Sequence, residues 1–179
     1  MSIEQDIVEK AVKGDRNAFA QLYEKHFDRI YRYVYFRLGN RTETEDLTQE
    51  VFIRALEAIG SYKWRGSPFA AWLYRIAHNQ VVDYFRKHSK VEKVPLEDDN
   101  ILIGKSDPAS TAENELEIER MINGINRLTP AQRDVISLRF GAQLSIAEAA
   151  RTLGKNEGTV KALQYNGIMA LKKMLLVAE

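Results

Sequence analysis

The chain has 179 residues, no cysteine, four prolines and nearly balanced charge, with 26 basic and 25 acidic side chains. This length and a hydrophobic content of 45% allow one large domain or two small ones with proper cores. The lack of cysteine excludes disulfides and thiolate metal sites and suits a reducing cytosol. Because the apolar runs are short and no signal-peptide core is visible, we expect a cytoplasmic protein without membrane insertion.

The small net charge conceals an uneven distribution. Residues 1–90 carry 15 basic and 12 acidic side chains, residues 91–119 carry two and nine, and residues 120–179 carry nine and four. Two basic modules therefore flank an acidic connector, a pattern that favours a polyanionic partner.

The connector is predicted at residues 91–112, between domains at 1–90 and 113–179. It contains two of the four prolines and lacks a helical apolar period, so we expect a flexible acidic linker. Its apolar triplet, residues 101–103, is expected either to dock on a neighbouring module or to contact a partner.

Apolar residues at helical spacing indicate four helices in the first module, of which the second is the longest and stops at Gly39. Thr42 is the expected N-cap of the third helix. Ser67 is the expected N-cap of the fourth, with Pro68 in its first position, where no amide donor is needed.

The second module shows three helix starts, two of them at the capping sequences that begin with Thr129 and Ser145. No segment of the chain alternates convincingly as a strand. We therefore predict an all-α chain of two small helical domains joined by the linker.

Residues 145–172 have the spacing of a helix-turn-helix. A short helix from Ser145 ends at Gly154, which allows a tight turn, and Asn156 can cap a second helix. That second helix would enter the major groove, whereas an ordinary helical hairpin with solvated lysines is the alternative. The side chains expected to reach DNA lie beside its buried face: Lys161, Gln164, Tyr165 and Lys172.

The segment 61–69 interleaves aromatic and cationic side chains, a mixture suited to unstacked bases and phosphates. Phe69 and Trp72 are expected in the core, whereas Trp64 is expected either to stack on a base or to pack. On the following helix, one face away from that core is shared by Arg75, Asn79, Val82 and Arg86, and its positive end is extended by Lys87 and His88.

On the third helix, Asp46, Glu50, Ile53 and Glu57 lie opposite the buried face. This stripe is either a solvated surface or a binding surface for a basic protein partner.

The sequence has no glycine-rich phosphate loop, no HExxH and no zinc-ligand spacing, and its three histidines are scattered. We therefore expect neither an enzyme nor a bound cofactor or metal. A stand-alone helix-turn-helix regulator, whose first module senses a ligand or dimerises, is one function that these patterns allow.

Two segments, 46–55 and 69–79, resemble region 2 of extracytoplasmic-function (ECF, group 4) bacterial sigma factors of the sigma-70 family. Two more, 128–140 and 144–172, resemble region 4 of the same family. The resemblance covers nearly everything except the linker, with both motif sets in the right order.

The resemblance implies a dissociable subunit of bacterial RNA polymerase that directs promoter-specific initiation. It implies contact with the β′ clamp helices through Asp46, Gln49, Glu50 and Ile53, and contact of region 4 with the β flap. Opening and reading of the −10 element would fall to the loop and the face that follows it: Lys63, Trp64, Arg65, Ser67, Arg75, Asn79, Arg86 and Lys87. Reading of the −35 element would fall to the second module: Arg139, Asn156, Thr159, Lys161, Gln164, Tyr165 and Lys172. The linker would run toward the RNA exit path, and an anti-sigma factor would hold the protein inactive.

Overall fold

A computed structural model describes residues 2–65, 67–91 and 112–177, of which residues 90 and 91 are described by their backbone alone. Helices make up the regular structure of these ranges, as predicted. The first module contains four α-helices and a short 3-10 turn: α1 (Ile3–Val12), α2 (Arg16–Leu38), α3 (Arg41–Ala58), the 3-10 turn (Ile59–Ser61) and α4 (Phe69–Val91). The second contains α5 (Ala112–Asn126), α6 (Pro130–Ile136), a π-helical turn (Ser137–Gly141), α7 (Ile146–Leu153) and α8 (Glu157–Val177).

The core of the first module forms where α2 packs against the other three helices. Its largest fully buried side chains come from α2 and α4, and they include Tyr33, Phe69 and Tyr74. The rings of Tyr33 and Tyr74 meet edge to face, with centroids 6.0 Å apart. Burial raises the pKa of both hydroxyls to about 12, so both remain neutral at physiological pH.

In the second module, α8 packs against α5, α6 and α7. Gly167 of α8 is buried against α6. A Cβ at Gly167 would lie 2.9 Å from Cγ1 of Ile136, so a hydrogen at this position lets the two helices touch.

The two modules contact one another, a feature that the sequence did not predict. Helix α2 packs on the π-helical turn, and α4 packs on α7. Nη1 of Arg37 lies 3.3 Å from Oδ1 of Asp134, and Nδ1 of His78 lies 3.7 Å from the same oxygen. The Arg37 side chain is only 3% exposed, so this contact places a charged group inside the interface.

Two helix starts differ from the prediction. Asn40, not Thr42, is the N-cap of α3, since its side chain accepts from the amide of Glu43 at 3.0 Å. Helix α4 begins at Phe69, so Pro68, not Ser67, takes the capping position and offers its carbonyl to the amide of Ala71. Both are shifts of one or two residues at a helix terminus, where neighbouring polar residues compete for the same amides.

The helix from Pro130 changes to π geometry at Ser137, which the sequence also did not predict. The predicted linker lies outside the described residues, apart from positions 91 and 112. This includes its acidic residues 97–99 and its apolar triplet. Among the helices that the structure describes, none combines the length and apolar character that a bilayer crossing requires.

Candidate nucleic-acid and polymerase interfaces

The aromatic and cationic segment borders an open cavity of about 550 Å³ beside the start of α4. The segment reaches this position because Tyr62 is anchored. Its hydroxyl donates to the carbonyl of Ser67 at 3.1 Å, and its ring packs on Phe69 and Trp72 with centroids 5.8 and 5.1 Å away. The cavity combines two aromatic rings, three cations and two hydroxyls: Ser61, Tyr62, Lys63, Arg65, Ser67, Trp72 and Arg75.

This cavity has the chemistry that an unpaired nucleotide requires. The half-buried Trp72 offers ring surface for a base, and Lys63, Arg65 and Arg75 offer charge for phosphate, whereas Tyr62 is only 9% exposed and forms the inner wall. Burial raises the pKa of Tyr62, with the nearby carboxylate of Glu4 adding to the shift, so Tyr62 keeps its proton and remains a donor to Ser67.

Trp64 does not line this cavity. It borders a second one, of about 240 Å³, which lies between the loop and α1. The side chain is 42% exposed, so the structure leaves part of it open to solvent.

The predicted polar face of α4 is exposed, because Arg75, Asn79, Arg86 and Lys87 all point away from the core. Arg75 also donates to the carbonyl of Arg151 on α7 at 3.2 Å, and Arg86 pairs with Asp83 at 3.0 Å. These contacts hold two of the three cations in defined positions.

Asn79 also borders a third open cavity, of about 370 Å³, between α3 and α4. Its polar lining includes Arg54, Glu57 and Gln80. Sequence reasoning did not place Arg54 beside Asn79 and Gln80. Arg54 belongs to another helix, and nothing in its spacing places it beside α4.

The helix-turn-helix forms as its capping residues predict. Ser145 and Glu148 make both bonds of the capping box, and Gly154 takes a left-handed conformation with φ of 64°. Asn156 accepts from the amide of Thr159 at 2.7 Å and so caps α8. Both residues are exposed at the end of α8 that was predicted to meet DNA.

Most of the other predicted −35 residues are exposed on α8. Tyr165 is 65% exposed, and Lys161 and Lys172 are also open to solvent. Arg139 differs, because its Nε donates to Oε1 of Gln164 at 2.7 Å and its Nη1 donates to the carbonyl of Leu144. The structure therefore brings these two predicted residues together and joins the π-helical turn to the centre of α8.

The predicted stripe on α3 has its apolar member at the surface. Ile53 is 51% exposed, and Asp46 and Gln49 are exposed as well. Glu50 pairs with Arg54 at 3.0 Å, four residues along the same helix. An exposed isoleucine bordered by acidic and amide side chains has the apolar centre and polar rim that a protein-binding surface requires.

Two family models match the chain in the order of its two modules. Sigma-70 region 2 matches residues 22–91, and Sigma-70 region 4 matches residues 124–173. Helix α1 lies outside both matches.

Curated relatives match over almost the whole chain. The ECF RNA polymerase sigma factor BldN of Streptomyces coelicolor is 38% identical over 95% of this chain, which spans 65% of that protein. The ECF RNA polymerase sigma factor SigW of Bacillus subtilis is 34% identical, with 94% of each chain covered.

Solved structures share the fold at lower identity. CnrH, in complex with the cytosolic domain of CnrY, matches 99% of this chain and 100% of its own at a TM-score of 0.77 and 23% identity. RpoE of Bartonella quintana, in complex with the anti-sigma factor NepR, matches 90% of this chain and 98% of its own at a TM-score of 0.67 and 22% identity.

Proposed function

This chain belongs to the family of ECF RNA polymerase sigma factors of the sigma-70 type, and we propose which of its surfaces bind polymerase and which read and open the promoter. In this proposal it is a group 4 member that acts in the cytoplasm as a transcription initiation factor, while the polymerising chemistry belongs to the core enzyme.

The first module captures bases of the non-template strand as the −10 duplex opens. A base leaves the stack and enters the cavity bordered by Tyr62 and Trp72, where Lys63, Arg65 and Arg75 neutralise adjacent phosphates. Asn79 offers a side-chain amide to a neighbouring base edge, with Ser67, Arg86 and Lys87 at the borders of the same surface. Unstacking costs a few kcal/mol per base, and these contacts offset it.

The second module binds the −35 element as a duplex. Helix α8 enters the major groove with its capped amino terminus near phosphate. Lys161 and Lys172 contribute charge, and Tyr165 contributes contact area. Gln164, oriented by Arg139, presents its amide nitrogen to base edges, because its oxygen is occupied by the guanidinium.

The surface on α3 binds core polymerase. Ile53 is the apolar centre, and Asp46, Gln49 and Glu50 form a polar border complementary to basic residues on the β′ clamp helices. Contact between the second module and the β flap completes the assembly. An anti-sigma factor is the inhibitory partner in this proposal, supported by a relative of the same fold that was solved with one.

The observation that carries the proposal is the cavity of about 550 Å³, in which aromatic rings and three cations converge within a module that matches Sigma-70 region 2. The test is run-off transcription with purified bacterial core polymerase on genomic promoter fragments. We expect initiated transcripts only when this chain is present. Absence of transcripts from every fragment, together with no binding to core, would contradict the proposal.

Two variants separate the proposed surfaces. Asn79→Ala should impair promoter opening, which is measured by the permanganate reactivity of the −10 region. Core binding, measured by fluorescence titration, should stay intact. Glu50→Arg should weaken core binding first, because it places a cation against a basic partner. Arg16→Ala, an exposed change on α2 outside both surfaces, is the control. Equal loss of both activities in both variants would refute the assignment.

A further inference from the structure

Helix α1 lies outside the region 2 match, yet it borders the promoter-reading loop. One face of α1 is buried in the first module, where Val8 and Ala11 are each 2% exposed. Helix α1 also packs against the 3-10 turn that leads into the loop. The helix is therefore part of the folded module at the point where the loop begins.

An ion pair and a hydrogen bond fix the amino-terminal end of α1. Oε1 of Glu4 lies 2.8 Å from Nε2 of His26, and Oε2 lies 3.2 Å from Nζ of Lys25. The ring of His26 in turn packs 5.6 Å from the ring of Phe69, the first residue of α4. Two elements that flank the loop, α1 and α4, are thus connected through one imidazole on α2.

The cavity of about 240 Å³ lies between α1 and Trp64. Val8 and Val12 form its apolar floor, Gln5, Glu9 and Lys13 form its polar rim, and Tyr62 and Trp64 form its side on the loop. Tyr62 borders this cavity and the larger cationic one. The position of α1 therefore bears on both sides of the loop.

We propose that α1 is a positioning element for promoter opening: it forms one side of the cavity beside Trp64 and so limits the positions that the ring can take, while the exposed part of the ring stays free to stack on a base. The inference rests on the proposed function and adds Trp64 to the loop residues that meet DNA. Its physical basis is preorganisation, since a ring with fewer accessible positions loses less conformational freedom when a base arrives.

The test compares Val12→Ala, which removes methyl groups from the cavity floor, with Ile7→Ala on the same helix. Ile7 packs into the core and does not line the cavity. In a Trp72→Phe background the remaining tryptophan is Trp64, and acrylamide quenching of its fluorescence reports how well it is covered. Val12→Ala should increase quenching and Ile7→Ala should not. Unchanged quenching in Val12→Ala would overturn the positioning role without touching the proposed function.

The functional arm uses holoenzyme on a promoter fragment that the wild-type chain transcribes. Val12→Ala should slow opening on the order of several-fold while core binding is unchanged. In a Trp64→Ala background the same change should have no further effect, because contacts that act through one residue are not additive. Additive losses, or an equal loss in Ile7→Ala, would show that α1 acts only through stability and would overturn the inference. If Trp64→Ala itself opens promoters normally, the stacking role of Trp64 fails, and the inference fails with it.

Discussion

At the scale of single residues, the pair of Glu4 and His26 combines burial with opposing electrostatic effects. Burial lowers the pKa of His26, although its hydrogen bond to Glu4 opposes the shift. Partial burial opposes ionisation of Glu4, but hydrogen bonds from His26 and Lys25 outweigh it and lower the pKa of this carboxyl. The unfolded chain therefore binds protons more tightly at both groups, so the folded state loses stability as the pH falls.

We predict that the free energy of unfolding decreases as pH drops below 6.5, the ordinary pKa of histidine. The contribution of His26 is fully present above that pH and is lost as the pH falls toward its lower folded-state value. His26→Gln should flatten the profile between pH 7 and 5, measured by urea denaturation. Some slope should remain, because burial also lowers the pKa of His78. His88→Gln, at an exposed position on α4, is the control, and an equal flattening there would contradict the prediction.

The exposure of single residues was largely predictable, but their partners were not. Helical periodicity correctly separated buried Phe69 from exposed Asn79, because both lie on one regular helix. Periodicity carries no information about contacts between helices. The bond between Arg139 and Gln164, which are 25 positions apart, depends on how α8 crosses the π-helical turn.

At the scale of elements, the helix-turn-helix was predictable because its signals are local. Ser145, Gly154 and Asn156 each satisfy backbone groups within four residues, so their geometry follows from sequence. The π-helical turn carries a tertiary contact. A Cβ at Gly141 would lie 2.9 Å from the side chain of Phe36, which belongs to the other module. No local sequence pattern predicts that contact.

Gly167 tests the crossing of α6 and α8. We predict that Gly167→Ala destabilises the fold by about 1–2 kcal/mol, because a methyl group 2.9 Å from Ile136 must displace it and the cost exceeds the gain in helix propensity. Chemical denaturation measures the change. Gly158→Ala in the same helix is the matched control, since its new Cβ would lie 3.4 Å from the nearest atom, a side-chain oxygen of Asn156. A Gly167 variant as stable as the Gly158 variant would refute the crowding.

At the scale of the whole molecule, the contact between the modules was beyond sequence reasoning. It contains a polar cluster of Arg37, His78 and Asp134, drawn from three helices, beside a hydrophobic core that continues from one module into the other. Hydrophobic patterning identifies the core of each module separately, and it predicts that charged residues lie on solvent-exposed faces. Only the tertiary arrangement shows that Arg37 is buried.

The buried ion pair between the modules yields a prediction about their joint stability. Asp134→Ala leaves the Arg37 guanidinium buried without its carboxylate, so we expect a loss of about 2–3 kcal/mol, on the low side for a buried pair because Asp134 retains some solvent access. Replacing both partners, as Arg37→Met with Asp134→Leu, should recover much of that loss, since apolar side chains remove the uncompensated charge. Glu45→Ala breaks the exposed pair with Arg41 and should cost less than about 0.5 kcal/mol. Urea denaturation of the full chain measures all three, and a double variant no more stable than Asp134→Ala alone would contradict the attribution of the loss to an unpaired guanidinium.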